Sequence, residues 1–180
     1  YNPYAMKFLE RIGGTVFHFS LINSTKGIIM IFATLPAAFI INKISNKQRA
    51  IANTVLVIAI IIVSLFFVPM LPKQYQVNVF ILILTLLMIP ISIYNISYQN
   101  ITAEIFPLRR ARVLSKRSIY TIFFTTSATI VSGLIFRYFA HDNDEYILIY
   151  RILYLMAFVS GLLAFFVIRK LRYEPMEVQP

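Results

Sequence analysis

Glu104 stands just upstream of Pro107, and five cations follow within nine residues: Arg109, Arg110, Arg112, Lys116 and Arg117. A carboxylate at a helix end beside guanidinium groups can pair bidentately in one conformation and release in another. That is the chemistry of a gate rather than of bond making. The plainer reading is an interfacial acid, with cations that only set orientation in a membrane. Asn42, Lys43 and Lys47, with Arg49, form a second short basic turn upstream.

A polar stripe offers binding chemistry. At roughly 100° per residue, Thr85, Met88, Ser92, Asn95, Gln99 and Thr102 fall on one face of a helix, with Tyr98 at its margin. Polar groups at hydrocarbon depth must face protein or water, because leaving them unsatisfied in lipid is costly. Ser92, Asn95, Gln99 and Tyr98 are therefore candidate substrate contacts, and interhelical hydrogen bonding that only holds a bundle together is the alternative. Lys26 is a cation within an apolar segment, read either as a counter-ion for an anionic substrate or as a side chain snorkelling to the outer interface. Arg151, near a helix end, is assigned to snorkelling. Ser118, Thr121, Thr125, Thr129 and Ser132 share a face whose small residues would let helices approach closely, and Gly133 and Gly161 are read the same way.

Catalytic and metal chemistry are not expected. The chain has no cysteine, His18 and His141 stand apart, and no nucleophile, base or metal ligands converge at one depth. His141 to Glu145 reads as a solvated turn whose spacing matches no metal loop. No Asp or Glu falls within a complete apolar span, so a coupling ion, H+ or Na+, stays open and no other cofactor is expected.

The elements that position these residues are long and apolar. The 180 residues are 59% apolar and only 13% charged, with a mean hydropathy of +0.75. A soluble domain of this size could not keep polar cover over such a composition. Apolar runs near Phe17–Ile41, Ile51–Leu71, Val77–Phe106, Ser118–Phe139 and Tyr146–Ile168 predict five membrane spans in an all-α polytopic bundle. Pro90 is expected to bend the third, and period-two alternation, the mark of a barrel, is missing. Residues 1–14 read as the tail of a helix followed by a Gly13-Gly14 turn, with an interfacial helix as the alternative, and residues 169–180 as a cytoplasmic tail or central-loop start. A first residue of Tyr and five complete spans lead us to expect a fragment, a six-helix unit with its first helix truncated.

The net charge of +10 sits in turns between spans rather than along one soluble face, which points to anionic lipid heads and not to nucleic acid. Loops 42–49, 109–117 and 169–172 hold the cations and alternate with turns carrying Lys73 and the acidic cluster beside Arg137. The positive-inside rule places the basic turns in the cytoplasm.

Two of these turns carry a family resemblance. Ala38 to Lys47 is similar to the loop between the second and third helices of major facilitator superfamily transporters, with Ala38 and Ser45 at its glycine positions, Asn42 at its acid and Lys43, Asn46 and Lys47 at its basic ones. Glu104, Phe106, Pro107, Arg109 and Arg112 resemble the segment joining the fourth and fifth helices in sugar porters and their relatives. The resemblance implies one six-helix half of a transporter, N-terminal by preference and C-terminal as runner-up, that moves a small molecule by alternating access. It implies that Asn42, Lys43, Lys47, Glu104, Arg109 and Arg112 belong to a cytoplasmic gate and that the fourth helix lines the cavity. It also implies that the third and sixth helices, here Ile51–Leu71 and Tyr146–Ile168, lie outermost. The partners would be the bilayer of a cell membrane, the substrate and the other half of the transporter. A structural or scaffolding membrane protein is the competing expectation, with an intramembrane enzyme behind it.

Overall fold

A computed structural model describes residues 3–43 and 46–170, and within them the side chains of all but residues 3, 4, 26, 35, 37, 38 and 40–43. Among the described residues six α-helices follow one another: α1 (Pro3–Arg11), α2 (Val16–Lys43), α3 (Lys47–Ser64), α4 (Lys73–Ile105), α5 (Arg110–Phe139) and α6 (Asn143–Lys170). Five of them, with α3 extended to Met70, are long and apolar enough to cross a bilayer. The helices run one or two turns beyond several of the apolar runs, so the charged flanks continue the same rods.

Prolines punctuate the chain as their missing donor requires. The span that begins at Ile51 does not stay α-helical to Leu71; it tightens into a 3₁₀ helix over Leu65–Met70. Pro69 cannot bond back to the carbonyl four residues before it, and its ring crowds that carbonyl. At Phe106 the backbone leaves the helical region (φ −127°, ψ 60°), because Pro107 disfavours it there. Pro90, by contrast, sits buried inside an unbroken α4. Gly13 takes φ +96°, and Gly14 N–H reaches back to the Leu9 carbonyl at 2.7 Å, closing α1. Thr15 N–H then bonds His18 Nδ1 at 3.0 Å, capping α2 with an imidazole where a Glu usually serves.

α3 packs along both α6 and α4, and α2 lies along α4; α5 meets α4 and α6 only briefly. Chain reversal at each turn gathers the cationic turns before α3 and before α5 with the end of α6, while the turns before α2, α4 and α6 share the opposite end. The core concentrates towards that opposite end, where Phe8 is fully buried among Phe80, Tyr150 and Tyr154 at ring separations of 5.1, 5.1 and 5.7 Å. Such tilted and edge-on pairs add about 0.5–1.5 kcal/mol each beyond area burial. Burial of Ala5, Phe8, Leu9 and Ile12 packs one face of α1 against the bundle.

Hydroxyls inside the bundle bond to their own helix. Ser92, Ser97, Thr102 and Ser132 are buried, and each donates to the carbonyl four residues earlier at 2.6–2.9 Å. The small-residue face of α5 departs from expectation. Thr121, Thr125 and Thr129 are exposed, with Thr125 and Thr129 bonded back to α5 itself, and only Ser132 is buried. The reason is the brief contact α5 makes with its neighbours, which leaves open space around Gly133 as well. Arg151 likewise turns its guanidinium over the Phe66 ring at 4.3 Å.

Gly161 does mark a close helix approach: a Cβ there would fall 2.7 Å from the Cβ of Ala59 on α3. Gly161→Ala is expected to force α3 and α6 apart and cost about 1–3 kcal/mol. Gly133→Ala, in open space, should leave stability unchanged or slightly raised. Thermal unfolding of the two variants in detergent checks the contrast, and equal melting temperatures would contradict it.

Candidate functional site

α5 meets α4 only briefly, and a cleft of about 450 Å³ lies between them, lined by Gln99, Leu114, Arg117, Ser118, Thr121 and Ile122. Its size is that of a small-molecule site. Gln99 lies six residues before the end of α4 and Arg117 seven residues after the start of α5, so both sit roughly 10 Å in from their helix ends. Arg117 is half-buried, and its guanidinium lies 3.8 Å from the Tyr98 ring centre and 5.6 Å from that of Tyr94. The two tyrosines, one helical turn apart on α4, form a shelf with ring centres 6.2 Å apart. Amide, hydroxyl and guanidinium groups converge here beside Leu114 and Ile122.

At the basic end, Lys47 Nζ donates to Glu104 Oε1. The lysine side chain is one-fifth exposed and the carboxylate somewhat more, so the pair is shielded without being dry. It ties the first turn of α3 to the last turn of α4. Asn46 caps α3 by accepting the Arg49 N–H at 3.0 Å, and Gln48 Nε2 donates to the Ile168 carbonyl at 2.5 Å, binding the end of α6 to the same place. Three helix ends thus meet around Lys47. At the far end, Glu145 accepts the N–H groups of His141 at 2.7 Å and Asp142 at 3.3 Å, a cap for α6 and not a ligand cluster.

The predicted cavity residues divide. Gln99 lines the cleft and Tyr98 touches it through Arg117. Ser92 is buried with its hydroxyl on the Met88 carbonyl, and Asn95 is half-buried one turn deeper than Gln99. Of the predicted gate residues, Lys47 and Glu104 meet; Arg109 is the N-cap residue just before α5 and Arg112 lies in its first turn, both exposed to solvent. The Glu104 carboxylate therefore engages the lysine of the other basic turn, 57 residues away, where guanidinium partners were expected. Asn42 and Lys43 close α2, and Lys26 lies ten residues into it; their side chains, residues 44–45 and the tail 171–180 fall outside the described residues.

Arg117, Ser118 and Thr121 were read for topology or packing and prove to line the cleft. The available signal was spacing: Leu114, Arg117, Ser118 and Thr121 recur at intervals of three and four, so they share the α5 face that meets the α4 stripe.

A family model described as Major Facilitator Superfamily matches residues 2–180, and searches of curated proteins and of solved structures returned no significant match. The family is one of membrane transporters rather than enzymes. With five helices among the described residues long and apolar enough to cross a bilayer and a match over essentially its whole length, this multi-pass membrane chain belongs to the Major Facilitator Superfamily.

Proposed function

We propose that these helices form one bundle of a secondary or facilitative transporter that carries a small molecule by alternating access, working against a second bundle of the same protein. The observation that carries this reading is the cleft between α4 and α5, where an amide, two hydroxyls and a guanidinium meet beside apolar side chains. Gln99, Tyr98 and Asn95 would meet the solute along its path, Lys26 would face the same cavity from α2, and Ser92 would brace α4 from behind. A cell membrane is the natural setting, with loops 42–49, 109–117 and 169–172 in the cytoplasm. H+ or Na+ would serve as the coupling ion if transport is active.

The gate reading builds on the pair that joins α3 to α4. Lys47 and Glu104 would hold the cytoplasmic ends together in one state, while Asn42, Lys43, Arg109 and Arg112 would supply the contacts of the other. Their separation costs little, because a partly exposed pair is worth on the order of 1 kcal/mol, which suits a switch that must open on each cycle.

Uptake by the full-length protein in sealed vesicles tests the carrier reading. At least one solute from a set of sugars, amino acids, organic acids and peptides should accumulate, and Gln99→Leu should slow it at least tenfold. A scaffold would move none of them. For the gate, Lys47→Glu should lower both uptake and thermal stability, and the double variant Lys47→Glu, Glu104→Lys should recover them in part. Additive losses in the double variant would contradict a direct pairing.

A further inference from the structure

We infer that Arg117 makes the cleft an oxyanion subsite, so that the transported solute is a small organic anion bearing a carboxylate or phosphate. This deepens the transporter reading and rests on it.

The chain's charges carry the argument. The acids among the described residues are Glu10, Glu104, Asp142, Asp144 and Glu145. Glu10 pairs with Lys7 and Glu104 with Lys47, while the other three lie at or beside the start of α6, at the opposite end of the bundle. Among the described residues, then, no carboxylate forms an ion pair with Arg117. A half-buried guanidinium is costly to hold without a counter-charge.

Its placement shows what the charge is for. The Tyr98 ring holds the guanidinium at 3.8 Å, directing it across to α4 rather than along α5 towards the headgroups. Stacking occupies a face of the guanidinium plane and leaves its N–H edge free to bind two oxygens at once. The rest of the lining fits the remainder of such a solute: Gln99, Ser118 and Thr121 offer donors and acceptors, and Leu114 and Ile122 an apolar wall. A planar fork on an aromatic shelf recognises an oxyanion, whereas a sugar or other neutral solute would leave that charge uncompensated.

The test is equilibrium binding of radiolabelled lactate, succinate and glucose 6-phosphate, against glycerol and glucose, to the full-length protein in phosphatidylcholine vesicles. At least one anion should bind saturably and displace the others. Arg117→Gln should weaken it roughly ten- to a hundredfold, as expected for losing a charge-assisted pair. Arg117→Lys should restore part of the affinity, Tyr98→Leu should reduce it, and Arg110→Gln, outside the cleft, should leave it unchanged. Vesicles containing anionic lipid separate the two sources of oxyanion: solute affinity that survives there supports the subsite, and affinity abolished by the lipid assigns Arg117 to headgroups and overturns it. Absence of saturable binding by all three anions, or anion affinity unchanged in Arg117→Gln, would also overturn it. Uptake of glucose or glycerol at the wild-type rate by Arg117→Gln would overturn the anion subsite while leaving the transporter reading intact.

Discussion

Every backbone donor and acceptor within hydrocarbon must find its partner inside the protein, and the rest of this structure follows from that constraint. It makes each apolar run a helix, and it extends to side chains. Ser92, Ser97, Thr102 and Ser132 are buried without a polar neighbour helix to receive them, and each returns its hydroxyl to its own backbone. Self-satisfied hydroxyls let helices be polar in composition and still pack as if apolar. They also explain why a stripe of Ser and Thr is ambiguous as a mark of function: a hydroxyl can complete its bonding within one turn, whereas the amide of Gln99 and the guanidinium of Arg117 cannot.

Charge obeys the same constraint at the helix ends. Lys47 and Glu104 lie where three helix ends converge, one of them held by the Gln48 bond to Ile168. A partly exposed ion pair contributes little to stability in such a place, but it fixes which helix ends are neighbours. At the other end aromatic packing takes over, with Phe8 set among Phe80, Tyr150 and Tyr154. One end of the bundle is therefore held by charge and hydrogen bonds that can exchange partners, and the other by close-packed rings that cannot do so cheaply. That asymmetry suits the gate proposed above.

The helices were legible in sequence because length and apolarity decide them locally, and Pro107 ended α4 where a proline must. The 3₁₀ stretch at Leu65–Met70 was not read, since Pro69 acts on the turn before it while the residues there stay uniformly apolar. Periodicity identified the Gln99 stripe but could not say which residues of it face a neighbour and which face a cleft. It also assigned the Thr125 face of α5 to close packing, because spacing names a face and says nothing of what lies opposite. The Lys47 partner of Glu104 and the Tyr98 shelf under Arg117 depend on how helices are set against one another, which no local pattern encodes. Gly161 was legible as a close approach and Gly133 was not distinguishable from it, for the same reason.

The proposed cleft and gate require all cationic turns to share one membrane face. Since these 180 residues contain no cysteine, single cysteines can report sidedness on a cysteine-free background of the whole protein. Arg49→Cys, Arg110→Cys and Asp144→Cys should be labelled in sealed vesicles by a membrane-impermeant maleimide. The first two should react together from the cytoplasmic side and the third only from the other. Labelling of Arg49→Cys and Arg110→Cys from opposite faces would contradict the threading, and with it the cleft and the gate.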